Sequence, residues 1–152
     1  MKKILIACIA LGVVAFDTYQ SQGSLSVSGL LQRLGGVTEQ VVNNNDLQHA
    51  YKNKQSDIQT QGEGIVVKVL ADDLDGSRHQ KFILNVGSGQ TALVAHNIDL
   101  APRIKNLQKG DKVAYSGEYE WTPQGGVIHW THADPSGHHA AGWLKHQGQS
   151  YQ

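Results

Sequence analysis

Between Gly62 and His132 the chain alternates short β-branched runs with turn-forming clusters, and this succession constrains the fold more than any other feature. GIVVKVL (Gly64 to Leu70) reads as a strand, and DDLDG (Asp72 to Gly76) as a turn whose Asp-Gly pair tolerates unusual φ angles. HQKFILNV (His79 to Val86) is a second strand with Phe82, Leu84 and Val86 on one face. The glycines of GSG (Gly87 to Gly89) turn the chain into a third strand, TALVAHN (Thr91 to Asn97). In IDLAPRIKNLQKGD, Asp99 is positioned to cap a short helix, with Pro102 in its first turn and Leu100, Ile104 and Leu107 facing inward. KVAYSGEYEW (Lys112 to Trp121) then reads as a fourth strand, with Gly117 expected at a bulge or sharp coil. TPQGG (Thr122 to Gly126) is a hairpin turn and VIHWTH (Val127 to His132) the fifth strand.

Three strands, a short helix and two strands are the succession of a small, mainly β, five-stranded OB-like Greek-key barrel. A β-sandwich is the alternative, because strand order alone does not fix pairing. A chain of 152 residues has room for one modest domain, and 17 glycines with 3 prolines suit a turn-rich β domain better than a helical bundle. The expected division is a signal or anchor segment over 1–16, a polar linker with a short helix over 17–61, and the barrel with a C-terminal extension over 62–152. The linker helix is expected in NNNDLQHAYKN (Asn43 to Asn53), capped by Asn45 or Asp46 and placing Leu47, Ala50 and Tyr51 on one face.

Met1-Lys2-Lys3 followed by ILIACIALGVVAF (Ile4 to Phe16) has the form of a signal peptide. Thirteen apolar or glycine residues are short for a membrane span, which needs ~18 or more. Small residues at Val13-Val14-Ala15 allow cleavage after Ala15, which predicts a periplasmic or extracellular protein with no stable transmembrane domain. The alternative is an uncleaved segment holding the protein to the inner membrane. Cys8, the only cysteine, leaves with the leader, so thiolate chemistry is excluded from the mature chain. Losing Lys2 and Lys3 leaves eleven basic against thirteen acidic residues, which does not advertise a basic surface for nucleic acid. A local basic groove is still compatible with that balance.

Chemistry concentrates in GGVIHWTHADPSGHHAAGWLKHQG (Gly125 to Gly148), which holds five of eight histidines and two of three tryptophans. His129 and His132 point to opposite faces if one strand runs through both, and reach one metal only if the strand ends or kinks between them. His132 with Asp134 in the loop, joined by His139 or His146, is the easier ligand set for a divalent transition metal such as zinc. The plainer reading is a hydrogen-bonded tail packed over the barrel. Arg78, His79 and His96 add a guanidinium fork and two imidazoles that the fold would bring towards one face. Tyr115, Tyr119 and Trp130 are expected mostly inside, Trp143 as a lid, and Glu118 and Glu120 as outward-facing strand residues. No serine lies in a nucleophile elbow, and there is no P-loop, dinucleotide fingerprint or calcium loop.

DGSRHQKFIL, AHNIDLAPRI, GDKVAYSGEYEW, GGVIHWTHADPSGHHAAGW and GQSYQ together resemble an uncharacterised bacterial family of small exported proteins, domain-of-unknown-function family 3465. The resemblance runs from about Asn45 to Gln152. Ala133 and His138 depart from the family's usual histidine and arginine, which makes both poor candidates for an essential ligand. The resemblance implies a single exported domain and no particular reaction.

The leading expectation is an exported binding module that takes single-stranded nucleic acid, a glycan or a protein through Arg78, His79, His96, His129 and Trp130. The alternative is a histidine-based, metal-dependent hydrolase of phosphodiesters. There His132, Asp134 and His139 hold the metal and Arg78 steadies the phosphate charge.

Overall fold

A computed structural model describes residues 44–152. The expected signal segment, Cys8 and most of the linker lie outside the described residues. The elements in order are α1 (Asn45–Lys52), β1 (Ile58–Val69), β2 (His79–Gly87), β3 (Gln90–Asn97), β4 (Lys112–Glu120), β5 (Val127–His129), β6 (Trp143–His146) and β7 (Gln149–Tyr151). None of the described helices is long and apolar enough to cross a membrane.

Strands β1 to β5 close into the expected five-stranded barrel. β1 pairs with β2 and β4, β2 with β3, β3 with β5 in parallel, and β5 with β4. β1 closes the ring because it is twelve residues long and serves two neighbours in succession. Its first part, Ile58 to Ile65, lies along β4, and its last part, from Ile65 to Val69, lies along β2. It begins at Ile58, ahead of the Gly62 at which the change in composition places the barrel. Gly64 makes the crossing possible, because a β-carbon there would press into the carbonyl of Asn85 on β2.

The core follows from period-two alternation. Phe82, Leu84 and Val86 of β2 point inward and are buried, as the sequence predicts, and meet Val94, Tyr115, Tyr119, Ile128 and Leu144. Each such large side chain, fully buried, contributes roughly 1.5–3 kcal/mol. α1 forms within the stretch the sequence predicts, with Asn44 rather than Asn45 or Asp46 at its N-cap, and adds Leu47 and Ala50 to this core. Asn44 ties it to the barrel by donating to the carbonyls of Glu63 and Val86 (2.8 and 2.7 Å) and accepting from the Tyr115 hydroxyl (2.9 Å).

Two local expectations are corrected. Residues 98–111 form turns, not a helix. Asp99 is not free to cap a helix, because its carboxylate accepts from the backbone and guanidinium of Arg78. The backbone of Ile104 is also taken: its N–H donates to Gln80 Oε1 (2.9 Å) and its carbonyl accepts from Gln80 Nε2 (3.0 Å). The Ile104 side chain is nonetheless fully buried, so the apolar pattern is satisfied without helical hydrogen bonds. Gly117, in turn, lies in a regular stretch of β4 with no shift in register. Its small size serves close packing, since a β-carbon would strike the carbonyl of His129.

The C-terminal extension is more ordered than a polar tail. β6 and β7 form a hairpin through Gln147 and Gly148, both at positive φ (49° and 78°) as a tight two-residue turn requires. β6 pairs with Val113 to Ser116 of β4, and β5 with Glu118 to Glu120. As β1 occupies the other edge of β4, β5 and β6 lie end to end along a single edge.

Candidate functional site

The site is built outward from the β4–β5 hairpin. Its register places Glu118 opposite His129, Tyr119 opposite Ile128 and Glu120 opposite Val127. Tyr119 and Ile128 are fully buried, so alternation turns Glu118, Glu120 and His129 to the outer face. The hairpin is locked by the Tyr119 hydroxyl, which donates to the Gly125 carbonyl at 3.0 Å. His129 Nε2 lies 3.4 Å from Glu118 Oε1 and 4.0 Å from Glu120 Oε1. That nitrogen is shielded from solvent and makes no hydrogen bond.

β5 stops at His129 because Trp130 adopts a left-handed backbone, φ 49°. For a bulky residue this conformation is strained. The break turns the next two residues inward, and Thr131 and His132 are both buried. Thr131 Oγ1 lies 2.8 Å from His96 Nδ1, and His96 Nε2 lies 3.2 Å from the Pro102 carbonyl. A carbonyl only accepts, so Nε2 carries the proton and Nδ1 accepts from the hydroxyl. Burial holds the His96 pKa down at about 4, so at neutral pH the ring is uncharged and this arrangement holds. His132 Nδ1 donates to the Ala133 carbonyl at 2.7 Å.

Asp134 organises the loop that follows. Its carboxylate accepts from the Ser136 hydroxyl (2.6 Å) and from the backbone N–H groups of Ser136, His138 and His139. These bonds, the Ser136 hydroxyl first, hold the Asp134 pKa far below the ordinary carboxylate range. The loop lays the His139 ring on the Trp130 indole, with centroids 3.7 Å apart and planes 18° from parallel. It also sets His139 Nδ1 3.6 Å from Glu118 Oε2. Beside this stack opens a cavity of about 260 Å³ lined by Ser77, His79, Ala95, Asn97, Leu100, His129, Trp130 and His132. A hollow of about 320 Å³ between α1 and the β2–β3 and β4–β5 turns contains neither histidine nor carboxylate and offers less chemistry.

The sequence pattern of a family described as "Protein of unknown function (DUF3465)" matches residues 31–152. The chain belongs to the DUF3465 family. Comparison with curated proteins returns no match. Every residue of the site falls inside the matched stretch of this DUF3465 chain, and the family description assigns no activity, so the chemistry is argued from geometry.

Of the residues singled out in the sequence, the DUF3465 fold brings His79, His129, Trp130 and His132 to one cavity. The kink that lets His129 and His132 share it sits at Trp130. Trp130 is half-buried at the surface rather than inside with Tyr115 and Tyr119. Arg78 is exposed, but its guanidinium is held by Asp99 at 2.6 Å. His96 lies behind the cavity wall, fully buried with both nitrogens engaged, and acts by positioning Thr131. His132 and Asp134 converge with neither His139 nor His146: His132 is buried, Asp134 is committed to its loop, His139 stacks on Trp130, and His146 Nε2 lies 3.0 Å from Asp111 Oδ2. Among the described residues, Glu118, Glu120 and His129 form the one group with ligand atoms within 4.8 Å of one another. Sequence reading set both glutamates on the outer face, where they are, but gave them no role as ligands. Their signal was the i, i+2 spacing on a strand followed by a short hairpin to a histidine.

Proposed function

We propose that the chain is a binding module that takes a small neutral glycan, one sugar unit at a time, in the cavity beside Trp130. The observation that carries this reading is the character of the lining. Trp130 and Leu100 offer apolar surface, while Ser77, His79, Asn97 and His132 offer donors and acceptors, the mixture a sugar ring requires. No lysine or arginine lines the cavity, Arg78 is paired with Asp99, and Glu118 and Glu120 stand on the neighbouring face. A phosphodiester backbone would meet repulsion there, which favours a glycan over single-stranded nucleic acid. At about 260 Å³ the cavity is below the roughly 300–1,000 Å³ of drug-sized sites, consistent with one ring. With the N-terminal segment read as an export signal, the glycan would be met outside the cytoplasm.

The test is calorimetric titration of the protein with a panel of neutral oligosaccharides and, separately, with single-stranded DNA. Saturable binding of a neutral sugar, lost in Trp130→Ala, is expected. Binding of DNA alone, weakening steeply with salt, would replace this reading with a nucleic-acid one.

A further inference from the structure

We infer that Glu118, Glu120 and His129 form a binding site for a first-row divalent transition ion of the zinc type. The inference stands on residues outside the sugar-reading side chains, apart from His129, and does not depend on what the cavity binds.

Three observations meet here. The first is spacing. Two ligand atoms about 2.1 Å from a tetrahedral ion lie roughly 3.4 Å apart. His129 Nε2 and Glu118 Oε1 are separated by 3.4 Å, Glu120 Oε1 lies 4.0 Å from the same nitrogen, and the three ligand atoms fall within 4.8 Å of one another. The second is the state of the nitrogen. His129 Nε2 is excluded from water, faces two carboxylates and yet makes no hydrogen bond to either. A buried polar atom left without a partner is costly, and an ion between the three groups would satisfy it. The third is charge. Among the described residues, the ion pairs of both glutamates run only to histidines, with no lysine or arginine compensating them. Two carboxylates on one side of a strand repel each other, and a dication neutralises the pair.

The elements that carry the ligands are rigid. Glu118 and Glu120 lie on β4, which is paired along both edges, and His129 is the direct cross-strand partner of Glu118. Glu118 turns its other oxygen, Oε2, towards His139 Nδ1, so the Asp134 loop orients a ligand from outside the coordination sphere. One imidazole nitrogen and two carboxylate oxygens suit zinc or a neighbouring transition ion better than calcium, which wants six to eight oxygens. Three protein ligands leave at least one position open, towards the side on which His129 also lines the cavity.

The experiment titrates the untagged full chain, first freed of metal with chelator, with zinc chloride and in parallel with calcium chloride, reading binding heat and metal content. One zinc per chain is expected, with calcium binding at least about tenfold weaker. Outer-shell changes cost about 10–100-fold in metal affinity. The isosteric double variant Glu118→Gln, Glu120→Gln should therefore lose more than about 100-fold, and His139→Ala about tenfold. His138→Ala, on the same loop but exposed and outside the cluster, should bind zinc as the wild type does. A melting curve of the metal-free double variant close to that of the metal-free wild type shows that it is folded. Absence of saturable zinc binding, or affinity unchanged in the double glutamine variant, would overturn the inference. So would binding lost in His138→Ala, since the ion would then sit on the loop histidines.

Discussion

His96 and His129 stand on adjacent strands of one barrel, β3 and β5, and meet opposite surroundings. His96 points inward, where Thr131 and Pro102 take both its ring nitrogens and burial keeps it neutral. His129 points outward, with its Nε2 shielded from water, flanked by two carboxylates and bonded to neither. The difference separates polar groups that hold a fold from polar groups held ready by it. A buried imidazole with every hydrogen bond made is part of the core. One whose nitrogen is buried without a hydrogen bond is the group on which the proposed ion site rests.

The largest effect should come from the satisfied side of this comparison. His96→Ala removes a fully buried ring and strands the Thr131 hydroxyl, and should lower stability by about 3 kcal/mol in urea unfolding at neutral pH. His129→Ala should change stability far less, and a loss as large as that of His96→Ala would break the contrast.

The pH dependence is of comparable size and has a definite sign. His96 has a folded pKa of about 4 against an ordinary value of 6.5, so the unfolded chain binds the extra proton between those values. Its contribution is fully present above pH 6.5, is lost progressively as pH falls towards about 4, and amounts to roughly 3 kcal/mol at most. Urea midpoints measured at steps across this window should fall in the wild type and fall less in His96→Gln. Parallel curves for the two proteins would assign the acid sensitivity elsewhere.

The smallest effect is expected on the outer face. In metal-free protein, Glu118→Gln with Glu120→Gln removes carboxylate repulsion at a partly exposed site and should move stability by less than about 0.5 kcal/mol. Thermal unfolding in the presence of chelator reads this directly. A marked loss would mean that the glutamates hold the β4–β5 hairpin together rather than waiting for a ligand.

Much of the barrel was legible before any coordinates. Phe82, Leu84 and Val86 announce one buried face, and the Asp-Gly, Gly-Ser-Gly and Pro-Gln-Gly-Gly clusters mark the turns in the right order. The stretch 98–111 misled because Asp99, Pro102 and the spacing of Ile104 and Leu107 imitate a helix start. What decides it is Gln80, 24 residues away in sequence, whose amide replaces the helical partners of Ile104. The β6–β7 hairpin was missed because WLKHQGQSY is too polar to alternate visibly, although Gln147-Gly148 is a turn signal. At the site, His79, His129, Trp130 and His132 stood out by residue type. Glu118 and Glu120 did not, because charged residues on a strand are ordinary until the register of a hairpin sets a histidine against them.

The way the loop after Trp130 is fastened has a wider meaning. It leaves the barrel at the end of β5 and returns at β6, and both strands lie along one edge of β4. Gly142 seals the neck: its N–H donates to the His132 carbonyl at 2.9 Å, and its bare α-carbon fits against the carbonyls of Trp130 and Ser116. The residues between enter and leave through one clamped opening, like a cartridge in a socket. None of the pairings that close the five-stranded ring passes through Ala133 to Ala141, so that stretch stands apart from the ring's closure, while Thr131 and His132 before it belong to the buried framework.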